Sequence, residues 1–224
     1  LTFWLSEGYW ILFGFICSFG WVVGLFFSIF IVGTANYYNF MDGIDGIAGI
    51  TGFVGFGLTG LFAWISGDNG AFFVLSVCLG LSCLGFLFYN VPKASVFMGD
   101  VGSILLGFVF GALVVNSSRN LHDFIIMCAF LFPFFADELT TSYVRMRKKK
   151  NLLKPHRRHI YQLLANEMGM VHWKISIGYG IFQAVVGLAA LGLAKIGIVA
   201  VIIFLVWCSI GFWVFSQWIR KKAQ

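Results

Sequence analysis

The chain has too few charged residues to cover the surface of a soluble protein of its length. Only 11% of its 224 residues are charged, whereas 60% are hydrophobic and only 3 are proline. A soluble domain carries about 25% charged residues, because most of its surface faces water. A soluble globular enzyme and a disordered chain are therefore excluded. Each of the nine carboxylates that this apolar chain retains needs a physical reason.

The chain also lacks the cysteine spacings of metal sites and disulfide frameworks. Its five cysteines lie in apolar stretches, with no CxxC pair and no Cys/His pattern. We interpret them as small buried hydrophobic residues. The net charge of +6 would indicate a nucleic-acid ligand in a soluble protein. Basic residues of membrane proteins collect on the cytoplasmic side instead, and we expect no nucleic-acid partner.

Long apolar runs dominate what is present. A membrane-spanning helix needs roughly 20 mostly apolar residues, and this rule predicts one all-α domain over 1–224, a transmembrane helical bundle of about seven spans. We expect these spans near residues 10–33, 47–66, 71–89, 103–117, 121–143, 173–193 and 197–218. The fifth span contains Pro133, Asp137 and Glu138, and we expect it to be kinked or broken.

The basic residues predict the orientation of the bundle. Alternating connections place thirteen Lys and Arg residues on one side and two, Arg119 and Lys195, on the other. This bias predicts an outside N-terminus and a cytoplasmic C-terminus. The expected cytoplasmic connections are 34–46, 90–102 and 144–172, followed by the C-terminal tail.

A first polar cluster lies in the first cytoplasmic connection. Its members, spaced by three residues, are Asn36, Asn39, Asp42 and Asp45. If the first helix continues, positions 36, 39 and 42 lie along one inclined face. Amide and carboxylate oxygens of this kind suit a hard divalent cation such as Mg²⁺. The alternative is a helix cap followed by a turn, where Asn, Asp and Gly are also favoured. A cap needs one such residue rather than four in register.

A second cluster is the segment FMGDVGS, residues 97–103. Asp100 is either a helix cap or a metal ligand beside backbone N–H groups that meet a phosphate. Phe97 offers a flat face to a base or a ring. Small residues four positions apart predict a helix face that a neighbouring helix approaches closely. They are Gly99, Ser103, Gly107 and Gly111.

A third cluster lies in the last long connection. The basic run 145–150 is explained by the orientation bias and by anionic lipid headgroups. Two His and two Arg follow, namely His156, Arg157, Arg158 and His159. Arg forms bidentate contacts with phosphate oxygens, and His donates to a phosphate or transfers a proton near neutral pH. This segment predicts a diphosphate clamp, with additional surface basicity as the alternative.

Together the clusters place carboxylates, a Gly-flanked Asp and an Arg/His segment on one face of a membrane bundle. Mg²⁺ between carboxylates and phosphates is the general chemistry of phosphoryl transfer, and the membrane points to a lipid acceptor. A cation-coupled transporter is the alternative, because broken helices with Asn and Asp also form ion sites. Those sites usually lie near the midplane within paired repeats, and no repeat is visible here. A third interpretation is a membrane scaffold with basic lipid contacts.

The three clusters resemble the motifs of the polyprenyl-phosphate N-acetylhexosamine-1-phosphate transferases. This family includes the phospho-MurNAc-pentapeptide translocases and the enzymes that start O-antigen and enterobacterial common-antigen synthesis. Residues 36–46 are similar to the family's NxxNxxDGxDG motif, residues 97–103 to its FMGDxGS motif, and residues 155–159 to its histidine loop.

The resemblance implies transfer of a sugar 1-phosphate from a UDP-N-acetylhexosamine-type donor to polyprenyl phosphate, with release of UMP. It also implies a Mg²⁺ cofactor, with Mn²⁺ as the other candidate ion. The expected location is the lipid bilayer of the bacterial inner membrane, with the active face cytoplasmic. A homodimer is one assembly that this expectation allows.

By motif position, the resemblance also implies a role for each candidate residue. The catalytic residues would be Asp42, Asp45 and Asp100, and the metal ligands Asn39 and Asp100. The substrate-binding residues would be Asn36, Phe97, Gly99, His156, Arg157 and His159. Within that set, Phe97 would lie near uracil, and Arg157 and His159 would contact the diphosphate.

Two departures from the family pattern have consequences. The family carries an Asp-Asp pair on an upstream cytoplasmic loop, implicated in binding or activating the lipid phosphate, and no such pair occurs here. We therefore expect the chain, which begins at Leu1, to be the C-terminal part of a longer protein and inactive or badly impaired alone. Tyr161 and Gln162 stand where many members have histidines. This difference favours the branch that starts surface-polysaccharide synthesis over MurNAc-pentapeptide transfer.

Overall fold

The computed structural model describes residues 2–68, 70–149 and 158–223, with side chains described from Gly20 onward. Every regular element in these ranges is an α-helix, which confirms the all-α prediction. In chain order the helices are α1 (Thr2–Met41), α2 (Ile47–Ile65), α3 (Ala71–Asn90), α4 (Gly99–Ser117), α5 (Leu121–Ala129), α6 (Phe132–Arg147), α7 (Ile160–Asn166), α8 (His172–Ala194) and α9 (Ile198–Lys222).

The lengths and apolar composition of the helices agree with the prediction of about seven spans. In the described ranges, 6 helices are long and apolar enough to cross a membrane, and the pair of α5 and α6, bent by 83°, makes seven if it is counted as one span. The break confirms the predicted irregularity of the fifth span. Pro133 lies in the first turn of α6, where a missing N–H removes no helical hydrogen bond. Large apolar side chains such as Phe88 and Trp207 are exposed, as lipid contact requires.

Two helix boundaries differ from the sequence prediction. Helix α1 continues to Met41, so that Asn36 and Asn39 lie on the helix rather than in a connection. Helix α4 begins at Gly99, which places Asp100 in its first turn instead of before the span. The prediction followed apolar runs, but a helix continues through polar residues when their side chains find partners. Helix α7, inside the predicted loop 144–172, was not expected.

Helices α1 and α4 approach each other closely along the predicted face of small residues. A Cβ atom on Gly107 would lie 2.8 Å from the Cα atom of Ala35 and 2.8 Å from the carbonyl oxygen of Thr34. A Cβ atom on Gly111 would lie 3.2 Å from the Cα atom of Ile31. The space beside these glycines is filled by backbone atoms of α1 and by the Cβ atoms of Tyr38 and Thr34, which move only with that backbone. The small-residue prediction is confirmed at both positions.

The ends of α2, α3 and α8 meet at the same end of the bundle through hydrogen bonds to the backbone. The Asn90 side chain accepts from the N–H of Gly46 at 2.6 Å and donates to the carbonyl of Val96 at 2.7 Å. Gly46 has a φ of 86°, which glycine adopts without a steric penalty. The Ser176 hydroxyl of α8 donates to the carbonyl of Asp45 at 2.7 Å. These bonds fix the connection that carries Asp42 and Asp45.

We expect Gly107→Ala to lower the melting temperature of the purified protein. The added methyl group meets the backbone of α1, and overpacking of this kind costs about 1–3 kcal/mol. Gly57→Ala is the matched control, because nothing lies within 4 Å of a Cβ atom at Gly57. Alanine itself favours a helix over glycine by about 0.5–1 kcal/mol. Equal melting temperatures for Gly107→Ala and the wild type would contradict the close packing.

Candidate active site

Polar side chains of α1 and α4 meet where these two helices are packed together. The Asn39 amide donates to Asp100 Oδ1 at 3.1 Å and to the Ser103 hydroxyl oxygen at 2.9 Å. Ser103 is fully buried, Asn39 is half-buried and Asp100 is exposed. The structure therefore brings together the two residues that the sequence predicted as metal ligands, although 61 positions separate them. The pair faces an accessible surface at the end of the bundle.

Asp42 contributes a second carboxylate to this surface. It follows the last residue of α1 and is half-buried. Burial, and then the negative charge of Asp100, raise the pKa of Asp42 to about 6. Like charges disfavour each other's ionised form, so a cation beside Asp42 and Asp100 would relieve their repulsion.

Asp45 is held by α8 rather than by the α1–α4 pair. Its Oδ2 atom lies 3.2 Å from Nδ1 of His172, the first residue of α8. The Ser176 bond to the Asp45 carbonyl fixes the backbone of the same residue. The sequence carries no signal for this role of His172, because a lone His at the start of an apolar helix has no recognisable spacing to other polar residues.

The remaining predicted residues of the first two motifs lie on the open surface. The Asn36 amide donates to the Val32 carbonyl of its own helix at 2.9 Å and does not join the Asn39–Asp100 contact. The Phe97 side chain is 77% exposed, just before α4. Gly99 has a φ of 67°, with nothing within 4 Å of a Cβ position. A side chain at Gly99 would be strained by its backbone conformation rather than by crowding.

The histidine loop is described only at its end. His156 and Arg157 lie outside the described residues. His159 is 2% exposed and is stacked on the Tyr161 ring, with the ring centroids 5.8 Å apart. Its Nδ1 atom lies 3.7 Å from Asp137 Oδ1, and its Nε2 atom lies 3.4 Å from Glu138 Oε2. The structure therefore places His159 inside a side-chain cluster of α6 and α7, whereas the sequence predicted a diphosphate contact.

Asp137, which the sequence left unexplained, holds the start of α7. Its carboxylate is fully buried and accepts from the N–H of Ile160 at 2.9 and 3.0 Å. The Tyr179 hydroxyl donates to it at 2.7 Å, and the Thr141 hydroxyl at 3.1 Å. The first N–H groups of a helix lack partners within the helix, and Asp137 supplies one from α6. Such charge-assisted bonds are among the stronger hydrogen bonds in proteins.

Tyr161 connects α7 to the first motif. Its hydroxyl donates to the Phe40 carbonyl at 2.9 Å, near the end of α1. A Cβ atom on Gly43 would overlap the same hydroxyl group, so the glycine leaves room for this contact. Burial, and then the charges of Asp137 and Asp42, raise the pKa of Tyr161, which keeps the hydroxyl a donor. In the sequence, Tyr161 stands out only as a departure from the family pattern.

The donor set of this surface fits a hard divalent cation. Among the described residues, no three His, Cys, Asp or Glu side chains are close enough to hold a metal ion by themselves. These residues therefore offer no closed zinc site of four N or S ligands. Mg²⁺ usually keeps several waters and binds through one or two carboxylates together with substrate phosphates. Asp100, the nearby Asp42 carboxylate and the amide of Asn39 match that requirement.

Comparison with known proteins places the first two motifs in one family. The model of glycosyl transferase family 4 matches residues 4–118. A phospho-N-acetylmuramoyl-pentapeptide-transferase of Bifidobacterium longum is 27% identical, over 60% of this chain and 36% of its own length. One of Desulfotalea psychrophila is 29% identical, over 79% and 52%. A decaprenyl-phosphate N-acetylglucosaminephosphotransferase of Mycobacterium leprae is 30% identical, over 54% and 33%.

These relatives are longer than the chain. The chain spans about a third to a half of the length of the curated relatives it matches. Their names describe phosphotransferases, and together with the apolar helices they identify an integral membrane protein. They give no support to a cation-coupled transporter.

We expect Asp137→Asn to destabilise the protein by roughly 3 kcal/mol. The amide keeps the size of the carboxylate but turns an NH₂ group toward donors that need an acceptor. Thermal unfolding measures the loss, and limited proteolysis tests whether α7 detaches. Asp68→Asn is the control, since Asp68 is exposed at the far end of α2. A melting temperature that Asp137→Asn leaves unchanged would refute the anchoring role of Asp137.

Proposed function

The chain belongs to glycosyl transferase family 4, and from this premise we propose that it carries the active site of a polyprenyl-phosphate sugar-phosphate transferase. The enzyme would transfer an N-acetylhexosamine-type sugar 1-phosphate from a UDP-sugar to polyprenyl phosphate and release UMP. The observation that carries the proposal is the contact of Asn39 with Asp100 across α1 and α4. Asp42 adds a second carboxylate, and the negative charge of Asp100 raises its pKa.

The bond changes of this reaction are those of a phosphoryl transfer. An oxygen atom of the lipid phosphate attacks the β-phosphorus of the UDP-sugar and forms a new P–O bond. The bond from that phosphorus to the bridging oxygen breaks, and this oxygen leaves with UMP. Bound Mg²⁺, or Mn²⁺, would offset charge on the diphosphate, and the residues that would hold it are Asn39 and Asp100.

The chain's own residues would bind and orient the donor. Asp45, fixed by His172 and Ser176, would order the nucleotide side of the site together with Asp42. The exposed ring of Phe97 offers a stacking face for uracil. Gly99 leaves the first turn of α4 open, where backbone N–H groups favour a phosphate.

The histidine loop would supply positive charge to the diphosphate. We propose that His156 and Arg157 make this contact, because an Arg fork matches phosphate oxygens. His159 would act differently from the sequence prediction, through its cluster with Asp137, Glu138 and Tyr161. That cluster would position the loop against the first motif.

We propose that the site faces the cytoplasm at the surface of a bacterial inner membrane. The thirteen basic residues on the site side, against two on the other, support this orientation. The acceptor phosphate would approach at the depth of the lipid headgroups. Tyr161 and Gln162 support a role in starting a surface polysaccharide, with a UDP-N-acetylhexosamine rather than UDP-MurNAc-pentapeptide as donor.

We expect the full-length protein to release UMP from UDP-GlcNAc-type donors and undecaprenyl phosphate only when Mg²⁺ or Mn²⁺ is present. Asp100→Asn should lower turnover by at least about 100-fold, because it removes a charged metal ligand. Asp68→Asn makes the same carboxylate-to-amide change far from the site and should retain wild-type turnover. UMP release, measured with and without a chelator, provides the test. Wild-type turnover by Asp100→Asn, or UMP release that a chelator does not reduce, would refute the proposal.

A further inference from the structure

A polar pocket lies at the same end of the bundle as the candidate active site, on helices that do not carry the first two motifs. It is a cavity of about 220 Å³ between the end of α6, one side of α7 and the end of α9. Its charged lining residues are Lys148, Arg158, Glu167 and Arg220. None of the predicted catalytic or metal-binding residues contributes to its wall, although Arg158 belongs to the segment that the sequence predicted as a diphosphate clamp.

The pocket carries an excess of positive charge. Three cations face it, and Glu167 is the one carboxylate of its described lining. Within the described part of the chain, the ion pairs shorter than 4 Å involve neither Glu167 nor the three cations. Three cations gathered around one concave surface repel one another, and an anion placed between them would relieve that repulsion.

Arg220 is fixed in the pocket wall. Its Nε atom donates to the Ser216 hydroxyl at 3.1 Å, one terminal nitrogen donates to the Arg158 carbonyl at 3.0 Å, and the other donates to the Thr141 hydroxyl at 2.8 Å. A guanidinium group has five N–H donors, so two remain for a ligand. An orientation bias accounts for basic residues at this end of the bundle. It does not account for a guanidinium group held in place by three hydrogen bonds.

The side chains at the end of α9 indicate the level of the pocket relative to the membrane surface. Trp218 is half exposed, and Lys222 Nζ lies 4.1 Å from the centre of its ring. Tryptophan side chains concentrate at the membrane–water interface, at the level of the headgroups. Arg220 lies between these two residues in the chain. By this argument the end of α9, which carries Arg220, lies at the level of the phospholipid headgroups.

We propose that this pocket binds the phosphate group of an anionic phospholipid, at a site separate from the proposed active site. Arg fork geometry suits phosphate oxygens, and the cavity has room for a phosphate group but not for a whole lipid. The phosphate would offset the charges of Lys148, Arg158 and Arg220 together, and so join α6, α7 and α9. Because α7 also carries Tyr161 to the Phe40 carbonyl, a bound lipid would stabilise that contact. The binding itself does not depend on the proposed reaction.

The test compares two double variants of the full-length protein in phosphatidylcholine nanodiscs with increasing phosphatidylglycerol. Lys148→Gln/Arg158→Gln removes two charges from the pocket and keeps the hydrogen bonds of Arg220. Lys93→Gln/Lys221→Gln removes two exposed charges from the same end of the bundle but outside the pocket. The melting temperature and the number of lipids retained in native mass spectrometry are the readouts. Lys148→Gln alone replaces the pocket variant if that variant fails to fold.

We expect phosphatidylglycerol to raise the wild-type melting temperature and to remain bound. The pocket variant should lose about tenfold or more in apparent lipid affinity, whereas the control should stay within about twofold of the wild type. Equal losses in both variants would overturn the proposal, since they would reflect general surface attraction. So would protection by inorganic phosphate without protection by the lipid. Retention of undecaprenyl phosphate in preference to phosphatidylglycerol would also overturn it, because the pocket would then belong to the acceptor.

Discussion

The close contact of α1 with α4 is the constraint on which the candidate site depends. In a bilayer, apolar helices gain little from burying apolar surface against each other, and small residues that allow close approach direct their association. Gly107 and Gly111 admit the backbone of α1. One turn closer to the site, Ser103 and Asp100 then lie within hydrogen-bond distance of Asn39. The geometry of the polar end therefore follows from the packing of the apolar part.

The structure also shows what several of the few carboxylates in this apolar chain contact. Asp137 is buried among donors from α6, α7 and α8, and Asp123 is paired with Arg119 at 2.8 Å. These carboxylates hold segments of the bundle together. Asp42 and Asp100 instead stand near each other at an accessible surface, where their repulsion favours a bound cation. Both of these carboxylates are among the residues that we assign to the reaction.

The sequence predicted those features that depend on local patterns. Apolar runs located the spans, a four-residue spacing located the α1–α4 face, and three motifs located the polar residues of one end. The contacts of Asp137 with Ile160 and of Asp45 with His172 join residues 23 and 127 positions apart, and no local pattern encodes such partners. The hydropathy pattern also predicted too early an end for α1. Asn39 is polar, but it remains in the helix and its side chain has partners on α4. The contacts of His159 with Asp137 and Glu138 likewise join residues that no local pattern brings together.

We propose that the packing of α1 on α4 creates a divalent-cation site from Asn39 and Asp100. Equilibrium binding of Mn²⁺ to the full-length protein, followed by electron paramagnetic resonance, tests it most directly. We expect a specific Mn²⁺ site that Asp100→Ala abolishes and that Gly107→Ala weakens, although Gly107→Ala leaves every candidate ligand in place. Gly57→Ala should bind Mn²⁺ as the wild type does. Wild-type Mn²⁺ binding by either Asp100→Ala or Gly107→Ala would contradict a cation site formed by the packing of α1 on α4.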